Sequence, residues 1–214
     1  HRVTVIQPSA YHYYSGMGPG MLGKTYRPEE IRFATKHVVE KKGGTFVLGK
    51  IARVDQKAKT VALESGESLP FDVISFNVGS HVPQTHIIGD GADIFTVKPI
   101  ENLIKVRQMI TAGMGSATPR FLVVGGGASA LELSGNLWRL VQQTETAASI
   151  TVCGGLNFLA AMPVKAQRYA RESLSARNIE IIEGARVSRL AEGLAILEDH
   201  RELAFDLTLL AWGI

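Results

Sequence analysis

Apolar and polar positions along the chain run twice through one succession of patterns. Short β-branched runs, "HRVTVIQPS" at the start and "ASITVCGGL" at 147–155, each read as a strand ending in turn residues. A longer amphipathic stretch follows each. "RPEEIRFATKHVVEKKGG" predicts a helix opening at Pro28, with Ile31, Ala34 and Val38 on one face and Gly43 and Gly44 as its stop. Proline suits the first helical turn, and Glu29, Glu30, Lys41 and Lys42 complement the helix dipole. Its counterpart "MPVKAQRYARESLSARN" lines up Ala166, Ala170 and Leu174 and closes at Asn178.

Matching strands come next, "TFVLGKIARVD" and "IEIIEGARVSRL", then a meander in each copy, "KTVALESGESL" and "GLAILEDHREL". Each copy ends in a similar strand, "FDVISFNVGS" at 71–80 and "FDLTLLAWGI" at 205–214. Strand, helix, strand, meander, strand predicts an α/β protein of two Rossmann-like dinucleotide-binding domains, with parallel sheets and small β-meanders. "VKPIENLIKVRQMITAGMG" reads as a linker entering a helix, so the boundary is expected within 95–118, giving domains 1–100 and 101–214. The first domain is expected to be incomplete, because both chain ends read as cuts through a fold.

Only the second copy is preceded by a strand–glycine–helix segment, "FLVVGGGASALELSGNLWRL" at 121–140. Gly125, Gly127 and Ala130 have the G-x-G-x-x-A spacing, with Gly126 completing the triplet. The first glycine permits the tight turn, Gly127 lets a pyrophosphate approach the backbone, and Ala130 permits close helix packing. The helix start then offers N–H groups and positive dipole to the phosphates. With "SITVC" the segment completes a βαβ unit of about thirty residues, the context a glycine motif needs. A tight turn that merely packs is the competing reading. Where an acid would hold the ribose of NAD stand Cys153, Gly154 and Gly155, and no obvious arginine is there for a 2′-phosphate. NAD, NADP and lost affinity all stay open. Gln7 takes the corresponding place in the first copy, and its amide could hydrogen-bond ribose hydroxyls.

Composition narrows the classes. A net charge of +3 without a basic–aromatic cluster argues against nucleic acid. No apolar run reaches the ~20 residues of a membrane span, and these residues are expected to include no signal peptide. Cys153, the only cysteine, excludes a disulfide framework and is expected in the core. His81, His86, Asp90 and Asp93 fit no strong ligand spacing, so no metal is expected. "YHYY" at 11–14 could stack on a flavin or adenine ring or simply pack, and Lys98 is expected to pair with a carboxylate.

The duplicated layout, the "GGGASALELSG" segment and the two "FD…G" endings resemble the pyridine nucleotide–disulfide oxidoreductase superfamily. The opening "VTVIQPSAYHYYSGMGPGMLG" looks most like type II NADH dehydrogenases, sulfide:quinone reductases and flavoproteins of selenophosphate synthesis. The resemblance implies FAD and NAD(P) as cofactors. It puts Gln7 at the FAD ribose, Ile51 near the adenine and Gly79 in the turn closing the FAD half. Gly125, Gly126, Gly127 and Ala130 would cradle the NAD(P) pyrophosphate, Glu132 would reach toward the nicotinamide, and Gly213 would lie beside that ring. The "YYSGMGPG" loop would approach the flavin.

Hydride would pass from NAD(P)H to flavin and on to a quinone or other small acceptor, with no catalytic side chain assigned. The alternative is a nucleotide-binding module without turnover. Ser15 stands where sulfide-oxidising relatives need cysteine, which argues against sulfide chemistry. The FAD glycine loop and the C-terminal region of such relatives have no counterpart in these residues, so this chain is expected to hold FAD poorly and to be inactive alone. A homodimer and a cytoplasmic place, peripheral at the membrane in a longer protein, are compatible with the resemblance.

Overall fold

The computed structural model describes residues 1–80, 82, 93–145 and 147–212. They form two compact units, His1–Tyr14 with Arg32–Gly79, and Ser15–Ile31 with Ser80–Ile214. Strands β1 (Thr4–Gln7) and β2 (His12–Tyr13) belong to the first unit and the short helix α1 (Gly18–Leu22) to the second. Next in the first unit come β3 (Arg32–Phe33), α2 (Thr35–Lys41), β4 (Thr45–Leu48), β5 (Ile51–Asp55), β6 (Thr60–Leu63) and β7 (Ser68–Pro70).

In that unit β1 and β4 pair in parallel, joined by α2. Strands β6 and β7 form the expected antiparallel meander and β5 joins it as a third strand, because "TFVLGKIARVD", expected as one strand, breaks after Leu48 into β4 and β5. Two expectations fail here. The helix does not open at Pro28: Pro28–Ile31 is one 3-10 turn, in which the Glu30 carboxylate accepts the Arg27 N–H. Arg32 and Phe33 then pair with Tyr13 and His12, and the Arg32 guanidinium lies 4.2 Å above the Tyr11 ring. The proposed apolar face is therefore divided. Ile31 is buried in the second unit, while Val38, on α2, is exposed.

Nor is 71–80 a strand. Val73 and Val78 are 89% and 85% exposed. A lone strand has nothing to satisfy its N–H and C=O groups, and no first-unit strand takes the part that the glycine-bearing strand plays in the second unit.

The second unit contains β8 (Ile94–Thr96), α3 (Glu101–Ala112), β9 (Arg120–Val124), α4 (Ala128–Gln142), β10 (Ser149–Cys153), α5 (Val164–Ser175) and β11 (Ile179–Ile182). A meander of β12 (Val187–Ala191), β13 (Leu194–Leu197) and β14 (Glu202–Ala204) precedes β15 (Leu207–Leu210). Its sheet runs β11-β10-β9-β15-β8, all parallel. Parallel strands need crossovers, which α4 and α5 supply, and both sheet faces are covered. Alternation along β9 turns Leu122 and Val124 toward Leu190, Ala195 and Leu197 of the meander and Phe205 just after it. Phe121 and Val123 are buried on the other face, as are Leu133, Leu137 and Leu140 of α4. The strands β9 and β15 are neighbours, so their carboxyl ends open together onto the glycine turn.

Candidate nucleotide-binding site

The three glycines after β9 are constrained differently. A Cβ on Gly125 would sit 2.7 Å from the Ala211 carbonyl oxygen, and one on Gly126 would sit 2.6 Å from that of Gly154. Both distances are closer than any side chain tolerates, so these positions let two backbone segments touch. Gly127 faces open space, with nothing within 4 Å of its virtual Cβ. It is the N-cap of α4, and no side chain caps the helix there. The first N–H groups of this fifteen-residue helix are therefore available to an anion. Ala130 is fully buried, and Ser134 donates to its carbonyl at 2.6 Å.

The end of β10 is equally confined. Cys153 belongs to the buried core, and burial pushes its thiol above the usual range, partly offset by the Gly155 N–H. A Cβ on Gly154 would lie 2.8 Å from the Phe158 Cβ, so no acidic side chain fits at that position. Gly155 has φ +70°, a left-handed backbone. The chain then turns inward: Leu159 donates to the Gly126 carbonyl at 2.7 Å, and Phe158 donates to the Glu183 carboxylate. Arg171 reaches Glu183 at 2.6 and 2.8 Å and also donates to the Phe158 carbonyl. The Arg171 guanidinium, more than the Phe158 N–H, holds the Glu183 carboxyl below its usual range against a modest burial penalty. Nothing local in the sequence pairs α5 with the end of β11, so sequence reasoning missed this clamp.

A cavity of about 190 Å³ in the second unit is lined by Ser15, Gly16 and Pro19 together with Lys98, Ser129 and Glu132. The structure thus brings Glu132 and the "SGMGP" segment to one hollow. Packing accounts for two glycines near that segment. A Cβ on Gly18 would lie 2.8 Å from Ile100 Cδ1, and one on Gly23 would collide with the Asn136 side chain. Among the described residues Lys98 pairs with no carboxylate; its Nζ donates to Ser80 Oγ at 2.7 Å. The expected carboxylate partner is replaced among the described residues by a hydroxyl. A more open hollow of about 560 Å³, lined by Asp93, Met109, 112–116 and Asp206, contains none of the predicted site residues.

In the first unit, Gln7 ends β1 and its Nε2 donates to the Ser9 and Tyr11 carbonyls at 2.7 and 2.8 Å. Only its Oε1 is left to accept a bond from a ligand. Ile51 opens β5, half-buried, and Gly79 has φ +67° with nothing within 4 Å. Gly213, His81, His86 and Asp90 lie outside the described residues. Among the described residues, no three potential metal ligands cluster, and no helix is long and apolar enough to cross a membrane.

A parallel sheet closed by a glycine turn and a helix start is a Rossmann-like dinucleotide-binding architecture. The model of the family described as pyridine nucleotide-disulphide oxidoreductase matches residues 1–214, and the chain belongs to that family, whose cofactors are FAD and NAD(P). The fold is similar to that of NDH2 from Plasmodium falciparum in complex with NADH (TM-score 0.88, 18% identity, covering 100% of this chain and 50% of that one). It is also similar to the sulfide:quinone oxidoreductase of Aquifex aeolicus (0.76, 16%, covering 98% and 52%). An engineered water-forming NADPH oxidase bound to NADPH is a third (0.81, 15%, covering 99% and 48%). The chain spans about half the length of these structures. A search of curated protein sequences finds no match.

Proposed function

We propose that the second unit binds NAD(P)H and that the chain is the nucleotide-handling part of an FAD-dependent NAD(P)H oxidoreductase. The observation that carries this reading is the free space in front of Gly127, at the uncapped start of α4, between two glycines' worth of touching backbone. A pyrophosphate fits there because the N–H groups of the first helical turn and the dipole both favour negative charge. Glu132 and Ser15, in the cavity beside the turn, are suited to orienting the nicotinamide end by hydrogen bonds. Gly213 belongs to the same end of the site in this reading.

We assign the FAD adenosine to the first unit, with Gln7 Oε1 accepting from the ribose, Ile51 contributing backbone contact and Gly79 a close turn. When bound, the flavin accepts hydride from NAD(P)H and passes electrons to a quinone or another small acceptor. The protein's share is to bind, orient and exclude water, and no side chain here is a general acid or base. The similar structures in complex with NADH and bound to NADPH support the class of ligand and leave the acceptor to experiment.

Fluorescence titration of NADH and NADPH against the chain tests the reading. Micromolar binding that Gly127→Arg abolishes, with an unchanged melting curve, is the expected result. Equal affinity in the variant would overturn it. A binding module without turnover is favoured by one observation, the commitment of both Gln7 amide donors to backbone. Tight NAD(P)H binding with no flavin reduction in the longer protein would support that alternative.

A further inference from the structure

We infer that Arg186 makes this site selective for a 2′-phosphorylated nucleotide, NADP(H) over NAD(H), an inference that rests on the nucleotide reading of the second unit. Discrimination between the two is made at the adenosine ribose. A carboxylate there bonds the free hydroxyl pair and repels a phosphate, whereas a cation accepts the phosphate. In this chain packing against Phe158 forbids a side chain at Gly154, and Gly155 is left-handed. No carboxylate can therefore project from the end of β10.

Beyond Gly155 and its two chain neighbours, the heavy atom nearest the point where a Gly155 side chain would begin is Cγ of Arg186, at 3.8 Å. Arg186 immediately precedes β12, far along the chain, so local spacing around β10 could not have revealed it.

Two neighbouring cations are already committed. Arg171 is paired with Glu183, and Arg201 with Asp199 at 2.8 Å. The Glu198 carboxylate accepts the Arg186 N–H at 3.4 Å, and the Glu198 N–H donates to the Arg186 carbonyl, so among the described residues this acid bonds the Arg186 main chain and forms no ion pair with its guanidinium. Among the described residues the Arg186 guanidinium makes no ion pair or hydrogen bond.

The first unit is an internal control. There the same meander turn has Glu64 donating to the carbonyl of Lys50, the residue in the position of Arg186. Lys50 and Glu64 close a salt bridge at 3.0 Å. The second unit keeps the backbone geometry and leaves its cation uncommitted. A guanidinium presents a fork of donors that matches a phosphate, and a charge-assisted pair of that kind is strong.

Direct binding, without flavin or turnover, tests the inference on the whole chain. NADPH and NADH are titrated by fluorescence, and adenosine 2′,5′-bisphosphate and AMP by calorimetry. NADPH is expected to bind at least about tenfold tighter than NADH. Arg186→Gln should erase most of that gap while leaving NADH affinity and the melting temperature unchanged, and 2′,5′-bisphosphate binding should weaken in parallel. Equal affinities in the parent protein, or tighter NADH, would overturn the inference and leave the nucleotide reading standing. A preference for NADPH that survives Arg186→Gln would overturn the role of this residue. Failure of both dinucleotides to bind would overturn the nucleotide reading, and the selectivity with it.

Discussion

A methyl group added at Gly126 would meet the Gly154 carbonyl oxygen at 2.6 Å, whereas one added at Gly127 would meet nothing within 4 Å. The two neighbouring glycines therefore answer different demands, one from the fold and one from the ligand. Gly126→Ala must push β9 away from the loop after β10, and overpacking of this kind costs about 1–3 kcal/mol. Urea unfolding should register that loss. Gly127→Ala keeps an ordinary φ of −108° and costs at most about 1 kcal/mol as a weaker N-cap. Its effect should appear in NAD(P)H titration, as at least a roughly tenfold weaker affinity, because the methyl occupies the space a phosphate needs. A Gly127→Ala protein with parental affinity would remove Gly127 from the proposed binding surface. The sequence motif treats the three glycines alike; only the neighbouring backbone, contributed by Gly154 and Ala211, separates them.

At the scale of elements, the clamp from α5 through Glu183 fixes the loop that carries Phe158. Because Arg171 holds the native Glu183 carboxyl below its unfolded value near 4.5, the pair stabilises the protein fully above that pH. That contribution is lost as pH falls through the lower native value. Arg171→Met should therefore destabilise by about 1–2 kcal/mol at pH 7, a range discounted because both side chains are partly solvated. Its stability should also fall less between pH 5 and about 3 than that of the parent protein, a contrast that urea curves at several pH values measure.

Strand periodicity reveals β10, β13, β14 and β15, since a half-buried strand writes its burial into its own residues, but "IEIIEGARVSRL" reads as one strand and is two, β11 and β12, in different sheets. The Pro28 helix was misread for the opposite reason. Ile31 and Val38 share a helical spacing, but they answer to different cores, and the pairing of Arg32 and Phe33 with His12 and Tyr13 is non-local. The strand β8 is three residues long, too short to carry a pattern, and α1 hides in a run of glycines. The glycine turn was legible because its constraint is local. Arg186, Arg171 and Glu183 were not, because tertiary structure alone brings them to the loop.

For the whole molecule, the repeat allows one unit to be judged by the other. In the second unit Phe205 is buried and Asp206 pairs with Arg120 at 2.8 Å, receiving also the Arg120 N–H, so that β15 is fastened beside β9. The first unit keeps the same letters at Phe71 and Asp72, yet among the described residues Asp72 makes no ion pair and the following segment makes no sheet. Leu48, Val73, Phe76 and Val78 are all exposed. Burying each such side chain is worth about 1.5–3 kcal/mol, so the first unit lacks a stabilisation that the second has. Calorimetry of the chain should accordingly give two transitions rather than one. NADPH at a hundred times its Kd should stabilise the upper transition by about 2.7 kcal/mol and leave the lower unmoved. Added FAD should move neither, and the purified chain should be colourless. A yellow protein whose lower transition rises with FAD would show that β1, β4 and the meander suffice to hold the flavin nucleotide. The poor FAD retention expected of this chain would then be wrong, while the nucleotide site on the glycine turn would be untouched.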